Sequence, residues 1–355
     1  MRIEKLVPGR RPAGTLAGGV ITRDLLVAGA RWSKGRRLTA ADLDAVTAAP
    51  EAAPITVLVP EPGDVHEDDA GLRLARAVTA GDPGVAGLEL RGPAESRWNL
   101  HATAAGVVVV RVAAVERLNR IDPVEVFTVF DGQVVGPGDL VASVKVGPHL
   151  VREDVLARAE ATALGGGRTR AAIVRVRRFR PVRLGVLVKE HVTGPARERF
   201  EASVRAKAAG LGATVTAITY VRDDAGAVRE ALRDAIRGPG GARIVITAGG
   251  ASTDPDDAFY TAVEALGGRI VRHGVPAHPG SMLWLGRVGP AAIIGLPSCG
   301  AFSKATAADL LLPRLVAGQP ATAATVAKLG HGGILTRSQR FRFPAYARDL
   351  DAPDG

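Results

Sequence analysis

Cysteine is almost missing: Cys299 stands alone, so the chain has neither an internal disulfide nor a cysteine-based zinc site, as suits a reducing cytoplasm. Aromatic residues are also scarce, at 4%. That scarcity argues against aromatic-lined platforms for sugars or bases and for α/β layers packed from small and branched aliphatic side chains. Long apolar runs are absent as well. The longest, near Gly106, is broken by Arg111, and the first ten residues lack the apolar core of a signal peptide, so neither secretion nor membrane insertion is expected. There is no Gly-x-Gly-x-x-Gly after a strand and no Walker A text, which removes Rossmann dehydrogenases and P-loop NTPases. Leu296-Pro297-Ser298-Cys299-Gly300 lacks the leading glycine of a nucleophile elbow, which disfavours a serine hydrolase.

What is plentiful is positive charge, a formal +10, which suits an anionic partner. Most arginines sit beside acids. The one cluster, Arg168, Arg170, Arg175, Arg177, Arg178, Arg180 and Arg183, alternates with Ile173, Val174 and Val176, the pattern of a strand with one solvated face. No zinc-finger, RRM or helix-turn-helix text accompanies it, so nucleic acid is not the expected partner.

A length of 355 residues exceeds one ordinary domain and predicts two domains with a short tail. Residues 1–165 are expected to form a smaller mixed, β-rich leader. Within it Thr39 followed by Asp42 marks a capped helix, acids at 67–69 crowd the start of another, and β-branched runs at 106–112, 124–129 and 140–146 are separated by Asp-Gly and Gly-Pro-Gly-Asp turns. From residue 181 to 318 strands and helices alternate at βαβ spacing: strands at 182–188, 213–220, 243–247 and 291–295, helices at 195–209, from the Asp223 cap to 237, from 254, and at 303–316. This predicts a three-layer α/β/α domain on a mostly parallel sheet. Residues 319–355 form an Ala-rich tail with Gly330-His331-Gly332-Gly333, expected to pack back on the core.

Chemistry concentrates at residues 247–257, Thr-Ala-Gly-Gly-Ala-Ser-Thr-Asp-Pro-Asp-Asp, between the carboxyl end of a strand and a helix start, where open α/β sheets place ligands. Gly249 and Gly250 let backbone approach an anion, and Ser252 and Thr253 can donate hydroxyls. The next helix supplies amides and a positive dipole end, so the segment reads as a phosphate seat. Asp254 as N-cap with Pro255 at the first helical position makes a good helix start. Alternatively, Asp256 and Asp257 hold Mg²⁺ with substrate oxygens completing its octahedron.

Residues 244–315 resemble the molybdopterin-binding domain shared by molybdopterin adenylyltransferases and molybdenum-inserting transferases. The resemblance lies in the buried strand, the Thr247-x-Gly249-Gly250 text, the hydroxyl-bearing turn and the acid Asp257, which matches the family's functional acid. Downstream, His278-Pro279-Gly280 and Gly295-Leu296-Pro297-Ser298 are similar to Pro-Gly-Lys-Pro and Gly-Leu-Pro-Gly-Asn-Pro texts of the transferase branch. His278 stands where that branch has a lysine, Ser281 where a second is usual, and Ser298-Cys299-Gly300 replaces Gly-Asn-Pro. The resemblance implies a molybdenum-cofactor biosynthesis protein that takes molybdopterin or its nucleotide adduct, acting as a molybdenumtransferase or nucleotidyltransferase with Mg²⁺. Thr247, Gly249, Gly250, Ser252, Thr253, His278, Pro279, Gly280, Pro297 and Ser298 would then line the ligand, with Asp257 as the catalytic acid. It further implies molybdate as co-substrate, other cofactor-synthesis proteins or molybdoenzymes as partners, and a homo-oligomer. The replaced lysines keep a second reading open, a non-catalytic molybdopterin carrier or insertion chaperone.

Overall fold

The computed structural model describes residues 1–10, 16–49, 54–165, 171–189, 193–250, 254–296 and 305–348. The chain divides into two compact units. One comprises Met1–Thr103, Val110–Asp131 and Pro137–Arg175; the other comprises Ala104–Val109, Gly132–Gly136 and Val176–Gly355.

In the first unit, Ile55–Val59 is flanked by Arg2–Leu6 and Val20–Ile21 in an antiparallel sheet. The helix Ala40–Thr47 beside it starts with a complete capping box, Thr39 accepting from the Asp42 amide and Asp42 from the Thr39 amide. A four-stranded antiparallel sheet follows, in the order Val124–Thr128, Leu140–Val146, Arg97–Ala102, Leu88–Ala94. Its covering helix, Glu67–Val78, is joined to the helix Glu153–Leu164 by Arg73, whose guanidinium donates to Glu153 and Glu160 at 2.7 Å.

The second unit is built on β1 (Arg183–Val188), α1 (Gly194–Ala209), β2 (Thr214–Tyr220), α2 (Ala225–Arg237), β3 (Ile244–Ala248), α3 (Ala258–Ala265), β4 (Arg269–His273), β5 (Trp284–Val288), β6 (Ala291–Leu296) and α4 (Ala307–Val316). The sheet runs β2-β1-β3-β6-β5-β4. Three of its five pairings are parallel, and β5 and β4 add an antiparallel edge. Strict alternation of side chains makes two cores. Val186, Ile246 and Ile294 face Phe200 and Val204 of α1 and Leu311 and Leu315 of α4 on one side. Leu187, Val245 and Ile293 face Val228 and Leu232 of α2 and Phe259 and Val263 of α3 on the other. This is the expected α/β/α sandwich on a mostly parallel sheet. Val326, Leu329, Leu335, Phe343 and Ala347 join the α1/α4 core, so the tail segment packs on this unit.

Local boundaries differ where several good caps adjoin. The α2 cap is Asp224, which accepts from the Ala227 amide at 2.8 Å, and not Asp223. The α3 cap is Asp257, not Asp254. The Asp254 carboxylate captures the Asp256 amide at 2.9 Å in a local turn, which holds residues 254–256 out of the helix and moves the start to Ala258. Pro255 therefore lies in that turn and not at the first helical position. Among the described residues, no helix is long and apolar enough to cross a membrane.

Candidate functional site

From β1 the chain first moves outward to β2 and then returns past β1 to β3, so the strand order reverses between β1 and β3. At such a reversal the two following loops part and leave a crevice at the carboxyl ends of the strands. Lys189 leaves β1 here, its amide donating to the Ala248 carbonyl at 2.9 Å, and Gly249 and Gly250 leave β3.

Two features of Gly249 and Gly250 depend on their lacking a side chain. Gly249 sits at φ +92°, in the left-handed region that favours glycine. A β-carbon on Gly250 would come within 3.0 Å of the Phe259 ring and 3.5 Å of the Asp257 carboxylate, so the turn lies directly against the start of α3.

Asp257 is buried at the centre of the site. Its Oδ1 accepts from the Phe259 amide at 2.8 Å, capping α3, and its Oδ2 accepts from Lys189 Nζ at 2.9 Å. The same ammonium lies 2.9 Å from Asp223, which is exposed, and 5.6 Å from the centre of the Phe259 ring. Burial acts to lower the Lys189 pKa, but the bonds from Asp257 and Asp223 outweigh it and hold the pKa above the ordinary lysine value. The charges at the crevice are thus fixed in place before any ligand arrives.

Thr247, the last residue but one of β3, is fully buried, and its Oγ1 has no hydrogen-bond partner among the described residues. Tyr260, in the first turn of α3, is also buried, and its hydroxyl likewise has no partner among the described residues. Burial, then the nearby Asp257 and Asp254 carboxylates, pushes its pKa up to about 12.

Of the residues singled out from sequence, Thr247, Gly249, Gly250 and Asp257 meet at this crevice. Ser252, Thr253, Pro297 and Ser298 lie outside the described residues. His278, Pro279 and Gly280 make their backbone bonds elsewhere: the His278 amide donates to Gly333 O at 2.7 Å, its carbonyl accepts from the Leu335 amide at 2.8 Å, and Pro279 O accepts from the Ala307 amide opening α4 at 2.9 Å. His278 itself is exposed, and no described contact joins it to Lys189 or Asp257.

The donor set does not make a ready Mg²⁺ cage. Both Asp257 oxygens are already engaged, Asp256 is exposed, and no group of three potential ligands lies within reach of one ion among the described residues. Sequence reasoning missed Lys189, Asp223 and Tyr260. The one local signal for Lys189 was a lysine placed directly after an unbroken buried strand, where a charge needs a specific partner.

Residues 186–317 match the family model described as a probable molybdopterin binding domain. No curated protein matches the chain. Among solved structures, a molybdopterin biosynthesis MoeA protein from Pyrococcus horikosii is 15% identical over 61% of this chain and 68% of its own, with a TM-score of 0.31. The molybdopterin biosynthesis enzyme MoaB from Thermus thermophilus is 23% identical over 39% of this chain and 98% of its own, at TM-score 0.29. A molybdopterin biosynthesis protein from Mycobacterium abscessus is 15% identical over 43% and 98%, at TM-score 0.29. The match to the family model is confined to residues 186–317.

Proposed function

Because residues 186–317 form a domain of the molybdopterin-binding family, we propose that this chain binds molybdopterin, or its nucleotide adduct, in the crevice between β1 and β3 and acts in molybdenum-cofactor synthesis. The observation that carries the proposal is the buried Lys189–Asp257 pair, anchored to the α3 cap beside the Gly249-Gly250 turn at the reversal of strand order. A terminal phosphate seated on that turn meets backbone amides and the positive end of α3, with the Lys189 ammonium close by. Ser252, Thr253, Pro297 and Ser298, outside the described residues, remain candidates from the sequence for contacts to the same ligand. His278, Pro279 and Gly280 border the α4 start.

Asp257 does its work here by fixing Lys189. A Mg²⁺ ion enters only on the phosphates of the ligand, with the exposed Asp256 and Asp223 as its nearest acids. Phosphoryl or nucleotidyl transfer needs chiefly charge neutralisation and alignment, which this arrangement supplies. Molybdate is the co-substrate if the reaction is metal insertion. The exposed edge strand β2 supports a homo-oligomer, which light scattering at micromolar concentration tests.

A second reading, a carrier that delivers molybdopterin without turnover, is favoured by one observation: the carboxylate assigned to catalysis is already bonded through both oxygens. Titration of the full chain with molybdopterin, followed by a turnover assay with molybdate and with Mg²⁺ nucleotide, tests both. Binding with turnover supports the transferase, binding alone the carrier, and no binding overturns the site.

A further inference from the structure

Two buried polar pairs outside this site, among the described residues, have each other as partners. Lys207 of α1 bonds Asp309 of α4, and Glu67 bonds His149. Thr247 Oγ1 and the Tyr260 hydroxyl, like the Tyr346 hydroxyl beside Lys207, are buried without a hydrogen-bond partner among the described residues, and these two lie at the carboxyl end of β3 and the first turn of α3, beside the crevice. An unmet buried hydroxyl costs free energy comparable to a lost hydrogen bond, so its presence in a native fold calls for an explanation.

Their surroundings supply one. Strand register aligns Leu187, Thr247, Gly295, Trp284 and His273 in a single row across β1, β3, β6, β5 and β4, at the carboxyl end of the parallel strands. The Trp284 indole lies against Gly295, where any β-carbon would collide with it. Tyr260 packs edge-on against both Trp284 and His273, its ring centre 5.0 Å from each. Phe259 stands 6.4 Å from Trp284. In a chain with so few aromatic residues, Trp284, Phe259 and the His273 ring cluster with Tyr260, and Trp284 and His273 share the register row of Thr247, next to the proposed phosphate seat.

We propose that Thr247 and Tyr260 hydrogen-bond the polar edge of a flat heteroaromatic ring, so that the ligand lies with its phosphate on Gly249-Gly250 and its ring toward β5 and β4. This deepens the molybdopterin reading and rests on it. Aromatic walls favour a ring, and the two hydroxyls recognise N–H and carbonyl groups on its edge. Both oxygens are covered in the free chain, so the ring reaches them as the ligand settles under the turn. The ring is the pterin or, in a nucleotide adduct, the purine, because both present the same edge chemistry.

The test uses the full chain as wild type, Tyr260→Phe and Thr247→Val. Each is titrated calorimetrically with molybdopterin, 6-hydroxymethylpterin, adenosine and inorganic pyrophosphate. The expected result is a roughly fivefold to tenfold weaker affinity of Tyr260→Phe for molybdopterin and for one of the two phosphate-free rings, which identifies the ring, with pyrophosphate binding unchanged. If wild type binds molybdopterin and both variants bind it equally well, the hydroxyls contact no ligand, and the proposal falls while the site stands. A matching loss of pyrophosphate affinity would place the hydroxyls on the phosphate and overturn the orientation. If wild type binds none of the probes, the molybdopterin reading itself fails. Melting of the free protein is independent of all ligands: an unchanged or higher midpoint for Tyr260→Phe supports the proposal, and a drop of several degrees shows a partner within the protein and overturns it.

Discussion

Each unit of the chain buries a carboxylate with a nitrogen partner, and the two clusters differ in how completely they are satisfied. In the first unit Glu67 accepts from His149 at 2.6 Å and from Ser96, and the adjacent His66 donates through Nε2 to Gly35 O at 2.9 Å while its Nδ1 accepts from the Asp68 amide. A side chain at Gly35, which sits at φ +82°, would collide with the Glu67 carboxylate, so the loop is closed over the cluster. In the second unit the Lys189 and Asp257 side chains are similarly buried, yet β3 and α3 carry two buried hydroxyls without a partner among the described residues, and the pair reaches the exposed Asp223. A polar cluster that serves only the fold uses up its donors and acceptors. The proposed ligand site holds two buried hydroxyls without a partner among the described residues.

The comparison breaks most sharply at Asp257. Asp257→Ala removes the partner of a buried ammonium and the cap of α3 together, and the loss of stability in urea unfolding is expected to be about 3–5 kcal/mol. Asp257→Asn keeps a capping oxygen and should lose distinctly less stability, while ligand binding falls with both. Equal stability of the two variants would show that the retained capping oxygen contributes nothing. At the next level, Glu67→Gln is expected to cost about 1–3 kcal/mol. Molybdopterin titration should be indifferent to it, and a change in affinity would erase the proposed division between fold and function.

The pH dependence separates the clusters further. Burial acts to raise the Glu67 pKa, but the bonds from His149 and Ser96 outweigh it and hold it below the usual carboxylate range. Its contribution is therefore intact above the unfolded value of about 4.3 and is lost as pH falls through the lower folded value. Lys189 is held high, so its contribution is intact below about 10.4 and is lost as pH rises through the higher folded value. Unfolding midpoints measured across pH should show Glu67→Gln flattening only the acid limb and Lys189→Met only the alkaline limb. The smallest effect belongs to Asp254→Ala. Its carboxylate orders one exposed turn, and the expected change in thermal unfolding is within about 0.5 kcal/mol.

What could be read from residue order was whatever short-range chemistry decides. The Thr39–Asp42 capping box, the helix beginning with the acids at 67–69, and the alternation of strands and helices from residue 181 all follow from patterns within a few residues. So does the glycine turn after a buried strand, which located Gly249, Gly250 and Asp257. The segment Asp254-Pro255-Asp256-Asp257 offers three capping carboxylates, and local preference favours the one before proline. The choice is made by Lys189, 68 residues earlier in the chain, which draws Asp257 into the buried cap position. Tyr260 was hidden for a similar reason: its ring is defined by Trp284 and His273, brought beside it only when β5 and β4 fold back along the sheet.

The hydrogen bond from the Lys189 amide to Ala248 turns β1 into a ruler. Strand side chains alternate between faces, so the count of residues from Arg183 to Lys189 determines on which side of the sheet the ammonium emerges. Deleting any one residue of β1 without realigning its neighbours would send the charge toward α1 and α4 and leave Asp257 facing an aliphatic side chain. The Lys189–Asp257 pair thus depends on the length of a strand that contributes neither of its two residues.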